Sequence, residues 1–245
     1  VMNPIESPRA VAIFGGRFDP VHSGHVTLAE ICRKHLNFAT LEIVPTKNAP
    51  HKVAAVATDD ERVELLKLAF KDFSGARIND WELKKDHTCY TTDLLDHYAA
   101  QGAEQPFFIL GEDSLYDLPK WYQFPKLLFK ARWVAVRRGT FPNRIDRQAH
   151  LLESLEKTGC QINCQETPVG VRWTISNLPN QPVNSTTIDL FSAEIPDIRS
   201  QDIRKGLYDH GGHWLDSHPV VPPAVAQYLK THHLYVKKQG LTNGI

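Results

Sequence analysis

Short apolar runs alternate with amphipathic stretches over the first 137 residues, and this alternation constrains the fold more than any other feature. The runs are typical of buried strands, and the stretches between them have helical spacing. Strands alternating with helices favour a parallel sheet covered on both faces. We therefore predict an α/β fold with a doubly wound parallel sheet, whose ligands bind at the carboxyl ends of the strands. The predicted strands are 10–14, 41–45, 77–79, 106–110 and 132–136, and the predicted helices are 24–36, 60–70 (capped by Asp59 or Asp60), 91–99 and 124–129.

Residues 139–196 break this rhythm. They contain one helical pattern at 148–157 and two short β-like runs at 171–175 and 187–190, separated by proline and by Asn, Gln and Ser clusters. No linker composition marks a domain boundary on either side. We expect one domain over 1–245, with an inserted elaboration at about 139–196 and a last helix at 223–232.

Composition excludes several classes of protein. The chain has 245 residues, with 28 Lys+Arg and 28 Asp+Glu, so its formal charge is zero. A nucleic-acid coat or a polybasic membrane binder is not expected at that balance. The four cysteines are too few for a disulfide framework and have no second pair at zinc spacing. No apolar run is long enough for a membrane helix, and residues 1–10 do not resemble a signal peptide, so we expect a cytoplasmic protein.

The sharpest motif is GGRFDPVHSGH at residues 15–25, directly after the first predicted strand. Its two glycines allow a tight turn and a close approach of a ligand to the backbone. His22 and His25 lie at the start of the next helix, where free N–H groups favour an anion and both imidazoles can donate to phosphate oxygens. The motif matches neither G-x-G-x-x-G nor G-x-x-x-x-G-K-[ST]. A glycine loop with two ordinary histidines remains open, as does a metal pair whose third ligand is not evident.

As a whole, the eleven residues resemble the H-x-G-H signature of the nucleotidylyltransferase superfamily, in the form found in bacterial nicotinate-nucleotide adenylyltransferases. Further segments resemble that family in the same order along the chain. They are 44–52 (VP…PHK), 59–66 with Arg62, 82–91 (EL…YT), 111–121 (G-x-D-x-x-x-x-L-x-x-W), 134–139, 198–204 and 221–235. Two departures are Arg199 and Gln201, where the family usually has Ser and Thr. Residues 139–196 match nothing in the pattern.

The resemblance implies a Rossmann-like nucleotidylyltransferase fold and a specific reaction. ATP and nicotinate mononucleotide would give deamido-NAD and pyrophosphate, a step of NAD biosynthesis. The 5′-phosphate of the mononucleotide would attack the α-phosphorus of ATP, so no protein nucleophile is needed. Mg²⁺ would enter with ATP, since the sequence shows no dedicated metal cage. ATP and the mononucleotide are the expected partners, and near-neutral charge leaves a homo-oligomer open.

The resemblance also implies roles for individual residues. The expected catalytic residues are His22, His25 and Arg204. The expected ATP-binding residues are Gly15, Gly16, Phe18, His22, His25, Gly111, Asp113, Ser200, Ile203 and Arg204. The expected mononucleotide-binding residues are Gly16, Phe18, Lys52, Thr91, Trp121 and Arg137. No residue is expected to bind a metal directly.

Simpler interpretations stand beside these roles. Asp113 can be a helix N-cap, Trp121 can be core, Arg137 can be a surface charge, and Arg62 and Tyr90 are more typical of structure than of chemistry. Other functions also remain open. One is an adenylyltransferase that prefers nicotinamide mononucleotide or another phosphate such as phosphopantetheine. Another is a non-catalytic nucleotide-binding module that acts on a partner through residues 139–196.

Overall fold

The computed structural model describes residues 10–47, 55–137, 143–177, 184–193 and 195–237. Within those residues, eight strands form one sheet. The strands are β1 (Val11–Gly16), β2 (Thr40–Pro45), β3 (Ala76–Ile78), β4 (Phe107–Gly111), β5 (Arg132–Val136), β6 (Gln161–Thr167), β7 (Gly170–Ser176) and β8 (Ser185–Phe191). Their order across the sheet is β3-β2-β1-β4-β5-β8-β7-β6.

Helices connect most of these strands. The α-helices are α1 (Ser23–His35), α2 (Asp59–Ala69), α3 (Thr91–Ala99), α4 (Glu112–Tyr116), α5 (Arg144–Lys157), α6 (Ser200–His210), α7 (Trp214–Ser217) and α8 (Pro223–Thr231). Short 3₁₀ turns occupy Leu118–Lys120 and Lys126–Lys130, so the helix predicted at 124–129 is a 3₁₀ segment displaced toward the carboxyl end. No helix in the described ranges is long and apolar enough to cross a membrane.

Strand direction confirms the predicted fold class. Strands β1 to β5 and β8 pair in parallel, and β7 runs antiparallel to both β8 and β6. Strand β1 lies between β2 and β4. The connection from β1 to β2 therefore runs toward one edge of the sheet, and the connection from β3 to β4 runs toward the other edge. This reversal opens a crevice at the carboxyl ends of β1 and β4, where ligands of such sheets bind.

Alternate side chains of β1 enter two different apolar cores. Ala12 and Phe14 pack with buried residues of α1, α2, α6 and α8, whereas Ile13 packs with those of α3 and α5. Since successive residues of a strand point to opposite faces, helices cover both faces of the sheet. The strand also continues through Gly15 and Gly16, which pair with Val44 and Pro45, so it ends two residues beyond the predicted bound at 14.

The segment 139–196 extends the sheet beyond β5. Strand β8 pairs with β5, β7 with β8, and β6 with β7. The sequence did not predict β6, because its residues are largely polar and exposed and lack a clear apolar alternation. Helix α5 begins at Arg144 instead of residue 148, and the short α7 was not predicted.

Helix α2 is capped at least one residue earlier than predicted. The N-cap is Thr58, not Asp59 or Asp60. The Glu61 N–H donates to Thr58 Oγ1 at 3.2 Å, and the Thr58 N–H donates to Glu61 Oε2 at 2.7 Å. This reciprocal pair is a capping box. Asp59 and Asp60 instead lie in the first turn, where acidic side chains favour the positive end of the helix.

Candidate active site

A cavity of about 580 Å³ lies at the carboxyl ends of β1 and β4. It is therefore located at the crevice that the strand order creates. Five residues expected to bind nucleotides line it together: Gly15, Gly16, Thr91, Gly111 and Trp121. The glycines end two strands and Thr91 begins α3, so they converge although up to 106 residues separate them in the sequence.

The glycine end of β1 has no room for side chains. A Cβ at Gly16 would lie 2.8 Å from the ring of Phe18, and one at Gly15 would lie 3.2 Å from that of Phe108. Phe18 has a positive φ of 50° and is 2% exposed. Its ring packs edge-on against His25, with centroids 5.0 Å apart. Any contact of Phe18 with a nucleotide would therefore come from its backbone.

Aromatic rings form another part of the cavity wall. The indole of Trp121 packs edge-on against Phe108 and Trp133, with centroids 6.5 Å and 6.1 Å away, while part of its surface lines the cavity. Tyr90 packs on Tyr122 at 4.5 Å, and both residues also line the cavity. Packing alone is thus an incomplete account of Trp121 and Tyr90. A flat ring here can bind an aromatic ligand by its edge or face.

A buried carboxyl group also lines the cavity. Glu82 is 5% exposed and accepts a hydrogen bond from the Lys47 backbone N–H at 3.2 Å. Burial raises the pKa of Glu82 to about 7, against the opposing effects of that hydrogen bond and of Arg62. Glu82 begins the motif at 82–91, but the motif alone indicates no role for it. Its neighbour in the wall, Cys89, is also buried.

The two histidines lie together at the first turn of α1. His22 is the N-cap residue and is 2% exposed, and its ring centroid lies 3.7 Å from that of His25. The His22 backbone N–H donates to His25 Nδ1 at 3.1 Å. Because this bond needs a lone pair on Nδ1, a neutral His25 carries its proton on Nε2 and can donate there. The first turn of α1 contains no acidic side chain, so none competes with an anionic ligand for the positive end of the helix.

Helix α6 places a second N-terminus against the same loop. Ser200 Oγ donates to the Pro20 carbonyl at 2.9 Å, and Arg204 Nη1 donates to the Asp19 carbonyl at 2.5 Å. Two helix N-termini therefore meet at residues 19–22, an arrangement suited to binding phosphate. The side chain of Ile203 is buried in the core, so only its backbone is available to a ligand.

Asp19 holds this loop in place, a role that the sequence analysis missed. Its buried carboxylate accepts hydrogen bonds from the backbone N–H groups of Val56 and Ala57 at 2.9 Å and 3.1 Å, and from the Tyr235 hydroxyl at 2.7 Å. Arg204 Nη1 lies 3.7 Å from Asp19 Oδ2. Burial and the nearby Asp19 carboxylate raise the pKa of Tyr235, which therefore stays protonated and keeps donating.

Arg62 connects the loop after β1 to the loop after β2. It is fully buried, and its Nη1 donates to the carbonyls of Arg17 and Thr46, both at 2.8 Å. Its Nη2 donates to Asp59 Oδ1 at 2.6 Å. The structural interpretation of Arg62 agrees with these contacts, since its side chain is buried and joins three parts of the chain.

Other expected site residues lie apart from the cavity wall. Asp113 is exposed at the second position of α4, whose N-cap is Gly111, so the N-cap interpretation of Asp113 is wrong. Arg137 follows β5 and donates to Ser192 Oγ at 3.3 Å. Lys52 lies outside the described residues. Arg199 and Gln201, the two departures from the family pattern, are both exposed at the start of α6.

Comparison with known proteins places the chain in a family. The model for cytidylyltransferase-like proteins matches residues 13–206. The chain belongs to this family. Probable nicotinate-nucleotide adenylyltransferases are among its relatives: that of Caldicellulosiruptor saccharolyticus is 30% identical over 206 residues, 81% of this chain and 98% of the relative. That of Klebsiella pneumoniae is 29% identical over 242 residues, 94% of this chain and 99% of the relative. The resemblance drawn from the motifs is thus confirmed.

Solved structures show the same fold. Plasmodium falciparum nicotinic acid mononucleotide adenylyltransferase complexed with NaAD has a TM-score of 0.61 and 18% identity, with 93% of this chain and 97% of that chain covered. The likeness extends over residues of both the parallel strands and the added strands, since it covers nearly the whole chain. It confirms the Rossmann-like nucleotidylyltransferase fold.

Proposed function

We propose that this protein transfers the adenylyl group of ATP to nicotinate mononucleotide, giving deamido-NAD and pyrophosphate in NAD biosynthesis. The observation that carries the proposal is the junction of two sites on one loop. Gly15 and Gly16 line a cavity with an aromatic wall, and six to ten residues later His22 and His25 form a site at a helix N-terminus. A nucleotide in the cavity would thus have its phosphate directed toward His22 and His25, where the phosphates of the other nucleotide would bind.

The chemistry needs positioning more than reactive side chains. An oxygen of the mononucleotide 5′-phosphate attacks the α-phosphorus, the bond from that phosphorus to the bridging oxygen breaks, and pyrophosphate leaves. Catalysis of such a transfer consists of alignment and stabilisation of negative charge. The N–H groups of His22 and His25 would stabilise charge at the α-phosphate, and one such donor is typically worth ~3 kcal/mol.

The two substrates would divide the site between them. Thr91 and Trp121 would hold the pyridine ring of the mononucleotide, with Gly16 and the Phe18 backbone against its ribose and phosphate. Gly111, Ser200 and Arg204 would hold ATP, and here Ser200 and Arg204 would exchange their present contacts with residues 19–20 for phosphate oxygens. The roles of Asp113, Ile203, Lys52 and Arg137, the single-domain organisation, the cytoplasmic location and the oligomeric state stay predictions.

Magnesium enters as part of the ATP substrate. Mg²⁺ prefers oxygen ligands, whereas the described side chains at the phosphate site are mainly imidazoles and guanidinium groups. The nearby Asp19 carboxylate already accepts three hydrogen bonds. Among the described residues, no group of three or more His, Cys, Asp or Glu side chains is arranged to hold a metal. The triphosphate would therefore supply most of the ligands of the ion.

The acid and the amide of the mononucleotide would interact differently with Glu82. An ionised Glu82 in the cavity would repel the carboxylate of nicotinate and would accept a hydrogen bond from nicotinamide. This observation favours the amide as the second candidate substrate at high pH. The named relatives favour the acid.

The test is pyrophosphate release with ATP and Mg²⁺, comparing nicotinate mononucleotide with nicotinamide mononucleotide and identifying the dinucleotide formed. A higher kcat/KM for the acid at pH 7 supports the proposal. A higher value for the amide would keep the mechanism and change the substrate. Absence of either dinucleotide would overturn the assignment as this enzyme and return attention to other phosphate acceptors or to a binding module.

A further inference from the structure

Arg17 contributes a cation to the cavity wall. It follows Gly15 and Gly16 and lines the cavity with them. Its backbone is fixed, because its carbonyl accepts the hydrogen bond from Arg62 Nη1 at 2.8 Å. Its guanidinium group forms no hydrogen bond to any residue that the structure describes. Among the described residues, none therefore competes with a ligand for the N–H groups of that side chain.

Among the described residues, no carboxylate forms an ion pair with Arg17 alone. Asp59 forms an ion pair with Arg62, and Asp19 forms one with Arg204. Asp19 attracts Arg17, but its carboxylate already accepts hydrogen bonds from two backbone N–H groups and from a tyrosine hydroxyl.

The balance of these effects is unfavourable to the cation. Burial lowers the pKa of the Arg17 guanidinium, and the neighbouring Arg204 and Arg62 lower it further. Arginine stays protonated under these conditions, so the excess positive charge persists in the free protein. A negatively charged ligand would relieve it.

We propose that Arg17 binds the 5′-phosphate of the mononucleotide and orients the oxygen that attacks ATP. The inference rests on the proposed function. Arg17 lies in the loop between the cavity and the histidines. The attacking phosphate must lie in the same region, because it connects the nucleoside in the cavity to the ATP phosphates at the histidines. A guanidinium group can donate two parallel hydrogen bonds to two phosphate oxygens, which fixes the orientation of the third oxygen. Arg17 takes no proton and forms no covalent bond in this role.

The test compares a ligand that has the phosphate with one that lacks it. Binding of nicotinate mononucleotide and of nicotinic acid riboside is measured by titration calorimetry for the natural protein, Arg17→Gln and Arg17→Lys. The matched control is Arg77→Gln, which removes an exposed arginine from the edge strand β3. Steady-state kinetics with ATP and Mg²⁺ are recorded for the same proteins, and thermal unfolding checks that each variant is folded.

Arg17→Gln should bind the mononucleotide about 10- to 100-fold more weakly, as expected for loss of hydrogen bonds to a charged group. Its affinity for the riboside and its KM for ATP should stay within about twofold of the natural protein, since neither ligand loses a contact. Arg17→Lys should recover part of the mononucleotide affinity, because it keeps the charge without the planar fork. Arg77→Gln should behave like the natural protein.

Three results would overturn the inference. Unchanged mononucleotide affinity in Arg17→Gln would remove the contact, and equal weakening of mononucleotide and riboside would indicate a structural role. A raised KM for ATP with unchanged mononucleotide affinity would assign Arg17 to the triphosphate. Measurements on the natural protein separate these three results from failure of the proposed function. If the natural protein forms no dinucleotide and binds no mononucleotide, the proposed function is wrong, and so is the inference that rests on it.

Discussion

Replacement of Glu82 by glutamine should stabilise the protein at high pH. Glu82 as a residue is 5% exposed, and burial raises the pKa of its carboxyl group from an ordinary value of 4.5 to about 7. The folded protein therefore binds this proton more tightly than the unfolded chain does. Below pH 4.5 both states are protonated and nothing is lost. Between pH 4.5 and 7 the unfolded chain releases this proton while the folded protein keeps it, so stability falls over that range and levels off above pH 7, where the folded state also holds an ionised carboxylate in the cavity wall.

The size of the effect follows from the two pKa values. A tenfold difference in proton affinity corresponds to about 1.4 kcal/mol, so ionisation should lower the free energy of unfolding by about 3 kcal/mol once the pH is well above 7. Glutamine has nearly the same shape and keeps an oxygen that can accept from the Lys47 N–H. Glu82→Gln should therefore exceed the natural protein in unfolding free energy by about 1 kcal/mol at pH 5 and about 3 kcal/mol at pH 8.

Urea unfolding at pH 5, 6.5 and 8 measures this difference directly. The matched control is Glu30→Gln, which removes a carboxyl group from an exposed position on α1. The control should give a small difference that does not grow with pH, since water solvates both forms of an exposed carboxyl group. A pH-independent difference for Glu82→Gln would refute the reasoning, because it would show that the carboxylate stays hydrated in the folded protein.

Three further substitutions test the phosphate site. His25→Ala should lower kcat by at least ~100-fold through loss of a donor to the developing charge, with a modest loss of stability because His25 also accepts the His22 N–H; wild-type turnover would contradict the role. Arg204→Ala should raise the KM for ATP more than the KM for the mononucleotide in initial-rate measurements, and equal increases would argue against a triphosphate contact. Tyr235→Phe removes the hydroxyl that donates to Asp19 and should lower the free energy of unfolding by about 1–2 kcal/mol in urea, whereas an unchanged midpoint would show that water replaces it.

The sequence predicts the parallel part of the fold well, because its strands are buried on both faces. Strand β5 (RWVAV) has four fully buried residues and was predicted with its bounds correct. Strand β6 has one neighbour in the sheet, β7, and a mostly polar sequence. Its pairing with β7 is fixed by backbone hydrogen bonds and by the turn at 168–169, neither of which leaves an apolar pattern in the sequence.

The same distinction separates the site residues that were predicted from those that were missed. Gly16, Thr91 and Trp121 follow or begin regular elements, so their convergence can be expected from topology. Asp19 and Glu82 acquire their roles through contacts that are distant in the sequence. The donors to Asp19 come from residues 37 and 216 positions away, and Glu82 accepts from a residue 35 positions away. Local patterns carry no record of such contacts.

These long-range contacts also explain how a loop can serve a reaction that depends on alignment. Asp19 fixes the loop through its side chain, and Arg62 fixes it through the carbonyl of Arg17, so the turn between β1 and α1 is held at two points before any substrate binds. Buried polar contacts of this kind resist displacement, because breaking one leaves a buried group without a partner. The entropy of ordering the loop is then lost during folding and need not be lost again when the two phosphates are brought together.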